Sequence, residues 1–137
     1  MLRILVAMAL GIVPVLAQPA AAVENWTIYD LGASRKESIC LAAASAAFTE
    51  FGNIHGIERV AAGNWVVFAW GLSRGDHDAV ITCTNAAGAG ARGTLVIYSE
   101  HSSQARFMAQ SILASFDAQN AALQEDFINR ALRENGF

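Results

Sequence analysis

A small α+β protein with a mainly antiparallel sheet is what this sequence predicts, and three observations carry the prediction. Segments rich in β-branched and aromatic residues recur at 25–31, 58–70, 79–84 and 93–98. Two other stretches follow helical spacing instead, one after the first of these segments and one after the last. Connections within the last three segments are short, so consecutive strands there are antiparallel neighbours. The expected order is β-α-β-β-β-α, a four-stranded sheet whose first strand joins one edge of a three-stranded meander, with both helices packed on it.

The elements are taken in order. Trp26, Thr27, Ile28 and Tyr29 favour a strand that stops at Gly32. Ser34-Arg35-Lys36-Glu37 has the S-x-x-E form of a capping box and is expected to start a helix. Cys40, Ala43, Ala44, Ala47, Phe48 and Phe51 recur on one face of that helix, and Gly52-Asn53 supplies a stop. Residues 58–70 read as one strand, with Val60, Ala62, Val66, Phe68 and Trp70 on one side and Ala61, Trp65, Val67 and Ala69 on the other. Both faces are apolar, so this strand is expected to be central. A polar turn over 71–78 and a glycine-alanine loop separate the two remaining strands. From Ser102 or Ser103 to Glu134 there is neither proline nor glycine, and Phe107, Met108, Ile112, Phe116, Leu123, Phe127, Ile128 and Leu132 keep helical spacing. A straight helix of about 32 residues spans roughly 48 Å, more than the ~35 Å of a domain this size. A bend near 115–120, where Ser, Asp, Gln and Asn dilute the apolar stripe, is the expected resolution.

Residues 1–22 have the make-up of a cleaved secretory signal peptide. Arg3 forms a positive start, 4–16 an apolar run, and a cut after Ala17 or Ala22 places small residues at the −3 and −1 positions. Pro14 and Pro19 interrupt a run already shorter than the ~20 residues of a spanning helix, so no membrane span is expected after cleavage. The mature chain, residues 23–137, is then a single exported domain, periplasmic or secreted. In an oxidising compartment the only two cysteines, Cys40 and Cys83, are expected to form a disulfide. Loss of Arg3 leaves eight basic against twelve acidic side chains, with Lys36 the single lysine. That balance argues against nucleic-acid binding, because the phosphate backbone needs clustered cations and the sequence has no such cluster.

No motif fixes an activity. Gly88-Ala89-Gly90-Ala91-Arg92-Gly93 matches the dinucleotide fingerprint in letters, but a strand follows it rather than a helix whose N-terminus would meet the pyrophosphate. Arg74-Gly75-Asp76 is an adhesion tripeptide without confirming context. If 79–84 and 93–98 form a hairpin, Asp76-His77-Asp78 faces Ser99-Glu100-His101 at one end of the sheet. His77, His101, Asp76, Asp78 and Glu100 are therefore the candidate metal or acid/base residues, set against a plainer reading of them as turn and cap residues. Trp26, Tyr29 and Tyr98 would make an apolar binding surface if they shared an open sheet face. Leu123, Phe127, Ile128 and Leu132 form a candidate interaction surface for a protein partner or a second copy, because a helix carrying them needs cover.

The string of elements resembles that of cystatin-like and profilin-like small domains, without a sequence motif of either, and no residue role is carried over. The leading expectation is an exported binding or protein-interaction domain without catalysis or cofactor. The alternatives are a metal-dependent or acid/base enzyme using His77 and His101, and an oligomerising, envelope-associated structural protein.

Overall fold

A computed structural model describes residues 26–136; the signal peptide expected at 1–22 lies outside the described residues. The order is β1 (Trp26–Ser34), α1 (Glu37–His55), β2 (Arg59–Ala62), β3 (Val66–Trp70), β4 (Asp78–Ala86), β5 (Gly90–Tyr98) and α2 (Ser102–Glu134). All neighbouring strands are antiparallel, in the spatial order β1-β5-β4-β3-β2. The α+β class stands, but the sheet has five strands rather than four. The single strand expected over 58–70 is a hairpin. Gly63 and Asn64, enclosed by apolar residues, make its turn, and the Gly63 N–H donates to the Val66 carbonyl at 2.7 Å. β3 lies inside the sheet, and the short β2 becomes its edge.

Both helices lie on one side of the sheet. The face of α1 expected to be apolar is the one buried: Cys40, Ala43, Ala44, Ala47 and Phe48 are fully covered, and Phe51 almost so. Its run of alanines brings the helix close to Val67, Ala69, Ile81, Cys83, Leu95 and Ile97, the covered residues of β3, β4 and β5. The Cys40–Cys83 disulfide crosses this layer, with the two Cα atoms 5.9 Å apart. In the chain-entropy model a loop of 43 residues closed in this way contributes about 4 kcal/mol.

The capping box does not form, because its members bond elsewhere. β1 pairs with β5 as far as Ser34, whose hydroxyl donates to Asn120 Oδ1 at 2.6 Å. Glu37 accepts from Asn85 Nδ2 at 2.7 Å, and α1 starts after Lys36 with no side-chain cap. Its end also differs, running past Gly52 to His55 and closing at Gly56, where φ is 90°.

α2 is continuous through 115–120, so the expected bend is absent. The polar residues there are contacts, not breaks. Ser115 donates to the Glu50 carboxylate of α1. Asn120, buried to 8% exposure, receives the Ser34 hydroxyl and donates from Nδ2 to the Ala33 carbonyl at 3.1 Å. Burying an amide is costly unless it is bonded, and here both of its ends are, so Asn120 ties β1 to α2. His55 packs on Phe107 at one end and Lys36 sits 4.3 Å above the Phe127 ring at the other. The helices are therefore antiparallel, and the last two turns of α2 run beyond the start of α1.

Candidate functional site

Alternation along each strand sends one set of side chains to the helices and the other to the opposite face, which no described element covers. Strand register assembles that second set into rows. Trp26, Tyr98, Asp78, Trp70 and Arg59 lie side by side along one end of the sheet. Next to them run Ile28, Val96, Val80, Phe68 and Ala61, a row with no polar side chain. Asp30, Thr94, Thr82 and the buried Val66 form the next row, and Ala33, Arg92 and Thr84 the last.

The two rows expose an aromatic and aliphatic band. Trp26 is 59% exposed, Ile28 69% and Phe68 40%. The rings contact one another: Trp26 and Tyr98 lie 5.0 Å apart between centroids, and Phe68 stacks on Trp70 at 5.5 Å. A shallow groove of about 190 Å³ runs between Trp26, Phe68, Trp70 and Val80. The charged groups around the band are already engaged. Arg59 lies 4.0 Å over the Trp70 ring, Asp78 accepts from the Gly71 N–H at 3.2 Å, and Asp30 pairs with Arg92. The guanidinium of Arg92, and next the Gly32 N–H, hold the Asp30 carboxyl below its ordinary value, while Asp30 raises Arg92. Trp26 and Tyr98 share this face, but Tyr29 points to the covered side and packs against the core, so the three do not line one surface.

The second feature is a cleft of about 240 Å³ lined by Asp76, His77, Glu100, His101 and Gln104. The hairpin brings the two polar segments together as expected, with one exception. His77 precedes β4 and Asp78 opens it, so alternation turns Asp78 to the aromatic face and out of the cleft. The turn before His77 is strained, since Ser73 and Arg74 have φ of 56° and 59° without being glycine. It is held by Ser73 N–H donating to the Gly56 carbonyl and Leu72 N–H to the His77 carbonyl. His77 is buried, and its Nδ1 has no hydrogen-bond partner among the described residues. Asp76, Glu100 and His101 are exposed. Among the described residues no three His, Cys, Asp or Glu side chains gather closely enough to share a metal ion. His101 forms the backbone cap of α2, and Ser99 bonds its main chain.

The remaining candidates divide. Leu123 packs against the core, Phe127 and Ile128 are half-buried, and Leu132 is exposed on the overhanging turns. A groove between Ile39, Ala42, Leu123 and Phe127 separates the helices there. The glycine-rich match is a hairpin turn in which the Ala89 N–H donates to the Ala86 carbonyl, and Arg74 of the adhesion tripeptide folds against Gly56. No described helix is long and apolar enough to cross a membrane.

Ile28, Phe68, Trp70, Val80 and Val96 are the surface residues that sequence reasoning passed over. The signal for Phe68 and Trp70 lies in β3, whose two apolar faces predict cover on both sides, whereas Phe68 and Trp70 are left open. The architecture and this face define the class: a two-layer α+β protein with helices on one side of its sheet and an aromatic surface on the other. Comparison with family models, curated proteins and solved structures gives no match to this chain.

Proposed function

We propose that this protein is a small exported binding protein that works through the open face of its sheet and has no catalytic role. The exposed aromatic band carries the reading. A monomer rarely leaves contiguous apolar area beyond a few hundred Å² in water, and patches of that kind rimmed by polar groups mark interaction sites. Trp, Tyr and Arg, the residue types concentrated here, dominate binding energy at interfaces. The disulfide and the composition of residues 1–22 support export.

The test is a photo-crosslinking side chain placed at Ile28, on the band, and separately at Asn129, on the exposed side of α2. Crosslinking in producing cells is expected to give a discrete adduct from Ile28 and none from Asn129. Equal yields from both positions, or none from either, would remove the reading.

Acid/base chemistry at the polar cleft is the second reading, and the convergence of His77, His101, Asp76 and Glu100 favours it. It requires a substrate in the cleft to reach both imidazoles. If the purified protein turns over no activated ester or phosphoester at a rate that both His77→Ala and His101→Ala lower, this reading fails.

A further inference from the structure

We propose that the occupant of the open face is a second copy of this chain, packed sheet against sheet; the inference rests on the reading of that face as a binding surface. Three observations select this occupant.

The groove on the band holds about 190 Å³, below the ~300 Å³ at which small-molecule sites begin. A site for a polar small ligand also needs convergent polar groups to orient it, and here Asp30, Asp78, Arg59 and Arg92 are each committed to a neighbour. Burial under protein suits the Asp30–Arg92 pair, which carries its own counter-charge, while Asp78 and Arg59 lie in the end row, where a rim stays wet.

Charge then favours self-association. The chain as a whole carries a net charge of −3, yet the strand residues of this face contribute two acidic and two basic side chains. The net charge therefore resides elsewhere, and two copies approaching face to face meet without the repulsion their other surfaces would exert. A neutral face offers neither an acidic nor a basic foreign partner an electrostatic advantage.

Area sets the strength. With strands about 4.8 Å apart and rising ~3.3 Å per residue, the footprint of the five strands is roughly 600 Å². Two copies bury about 1,200 Å², the lower bound for specific and stable interfaces. The uncharged row Ile28, Val96, Val80, Phe68 and Ala61 would sit at its centre. The charged groups lie toward the ends, which is the arrangement of an apolar core within a polar rim. Sheets stacked in this way pack about 10 Å apart with strands near −30°. The dimer is accordingly concentration-dependent, not obligate.

Sedimentation of the purified chain from ~1 µM to ~1 mM reads the association directly. Tryptophan provides a second signal, since Trp26 is exposed and Trp70 only half-buried on this face; Trp65, exposed but on the side of Val67, adds a constant background, so a fall in acrylamide quenching reports cover of Trp26 and Trp70. The expected result is a doubling of mass with a parallel fall in quenching. Phe68→Asp should weaken association by about tenfold or more, because two carboxylates would then be buried near one another. Ile28→Asp, at a position 69% exposed, repeats the test should Phe68→Asp fail to fold. Leu132→Asp, on the overhanging end of α2, should change nothing. A monomer mass throughout the range overturns the proposal, as does a dimer broken by Leu132→Asp and not by the face variants. The adduct from Ile28 separates the two readings. Twice the chain mass supports both, a discrete adduct of another mass with a monomer in solution overturns the second copy and keeps the binding surface, and no adduct overturns both.

Discussion

The two faces of one sheet are built from the same residue types and have opposite fates. Toward the helices, Val67, Ala69, Ile81, Cys83, Leu95 and Ile97 are covered by α1 and α2. On the other face, Phe68, Val80, Val96, Trp70, Ile28 and Trp26 have equal or greater apolar bulk and no described element above them. The faces differ in polarity, since the open one also carries Asp30, Asp78, Arg59, Arg92 and three threonines, and they differ in the size of their apolar residues. The covered face mixes aliphatic residues with alanine, cysteine and glycine, which lets an alanine-rich helix approach. The open face carries the large rings, in two contacting aromatic pairs, with Asp30 and Arg92 paired at its margin. Apolar area drives folding on one side, and on the other side area of the same kind is left in water.

Removing the disulfide should have the largest effect, because it acts wholly on the covered side. Cys40→Ala with Cys83→Ala is expected to cost about 2–5 kcal/mol, read by urea unfolding, with no change in the open face. Should stability hold, the tie between α1 and the sheet is made by packing alone.

The paired variants Ile97→Ala and Val96→Ala put the comparison on adjacent residues of β5. The first, fully buried, should destabilise by about 2–5 kcal/mol; the second, on the open face, by about 1 kcal/mol or less when the protein is dilute. Thermal or denaturant melts of both check this. Equal losses would mean that the open face is covered in the folded monomer.

Asn120→Ala tests the polar tie between the layers. It leaves the Ser34 hydroxyl and the Ala33 carbonyl without their partner, at an expected cost of about 1–3 kcal/mol. Hydrogen exchange should rise at β1 first, since β1 is the strand Asn120 holds. Uniform exchange across the sheet would show instead that the tie is not local.

The smallest effect is expected at the rim. Arg92 holds the Asp30 carboxyl below its ordinary value of 3.8. A lowered native pKa means stabilisation present above the unfolded value and lost as pH falls through the native one. Asp30→Asn should therefore match the parent protein under acid conditions and fall slightly below it near neutrality, in melts across pH 2–7. A difference that grows toward low pH would have the wrong sign and would show that the pair does not act in this way.

Much of the fold was legible because its signals are local. The six residues of the apolar stripe on α1, the β4–β5 hairpin and the pairing of Cys40 with Cys83 follow from spacing and from the number of cysteines. The hairpin alone also brought His77 and His101 to one end of the sheet. Two other local signals misled, and for one reason. Ser34 with Glu37, and Ser115 with Asn120, are residues whose polar side chains favour caps and breaks when nothing else is near. In the folded chain each finds a partner distant in sequence, and the bonds to Asn85, Glu50, Ala33 and between Ser34 and Asn120 replace the cap and remove the bend.

The sequence by itself determined the α+β class, the helical faces that bury and the cysteines that join, because periodicity and cysteine number act over a few residues or through one covalent choice. Only the tertiary structure decided that residues 58–70 turn back at Gly63, that α2 runs on unbroken through 115–120, and that both helices settle on the same side. That last choice leaves Trp26, Phe68 and Trp70 in water. A strand apolar on both faces reads the same whether one face or two will be covered, since the covering element lies elsewhere in the chain and its side of the sheet is not written in the strand.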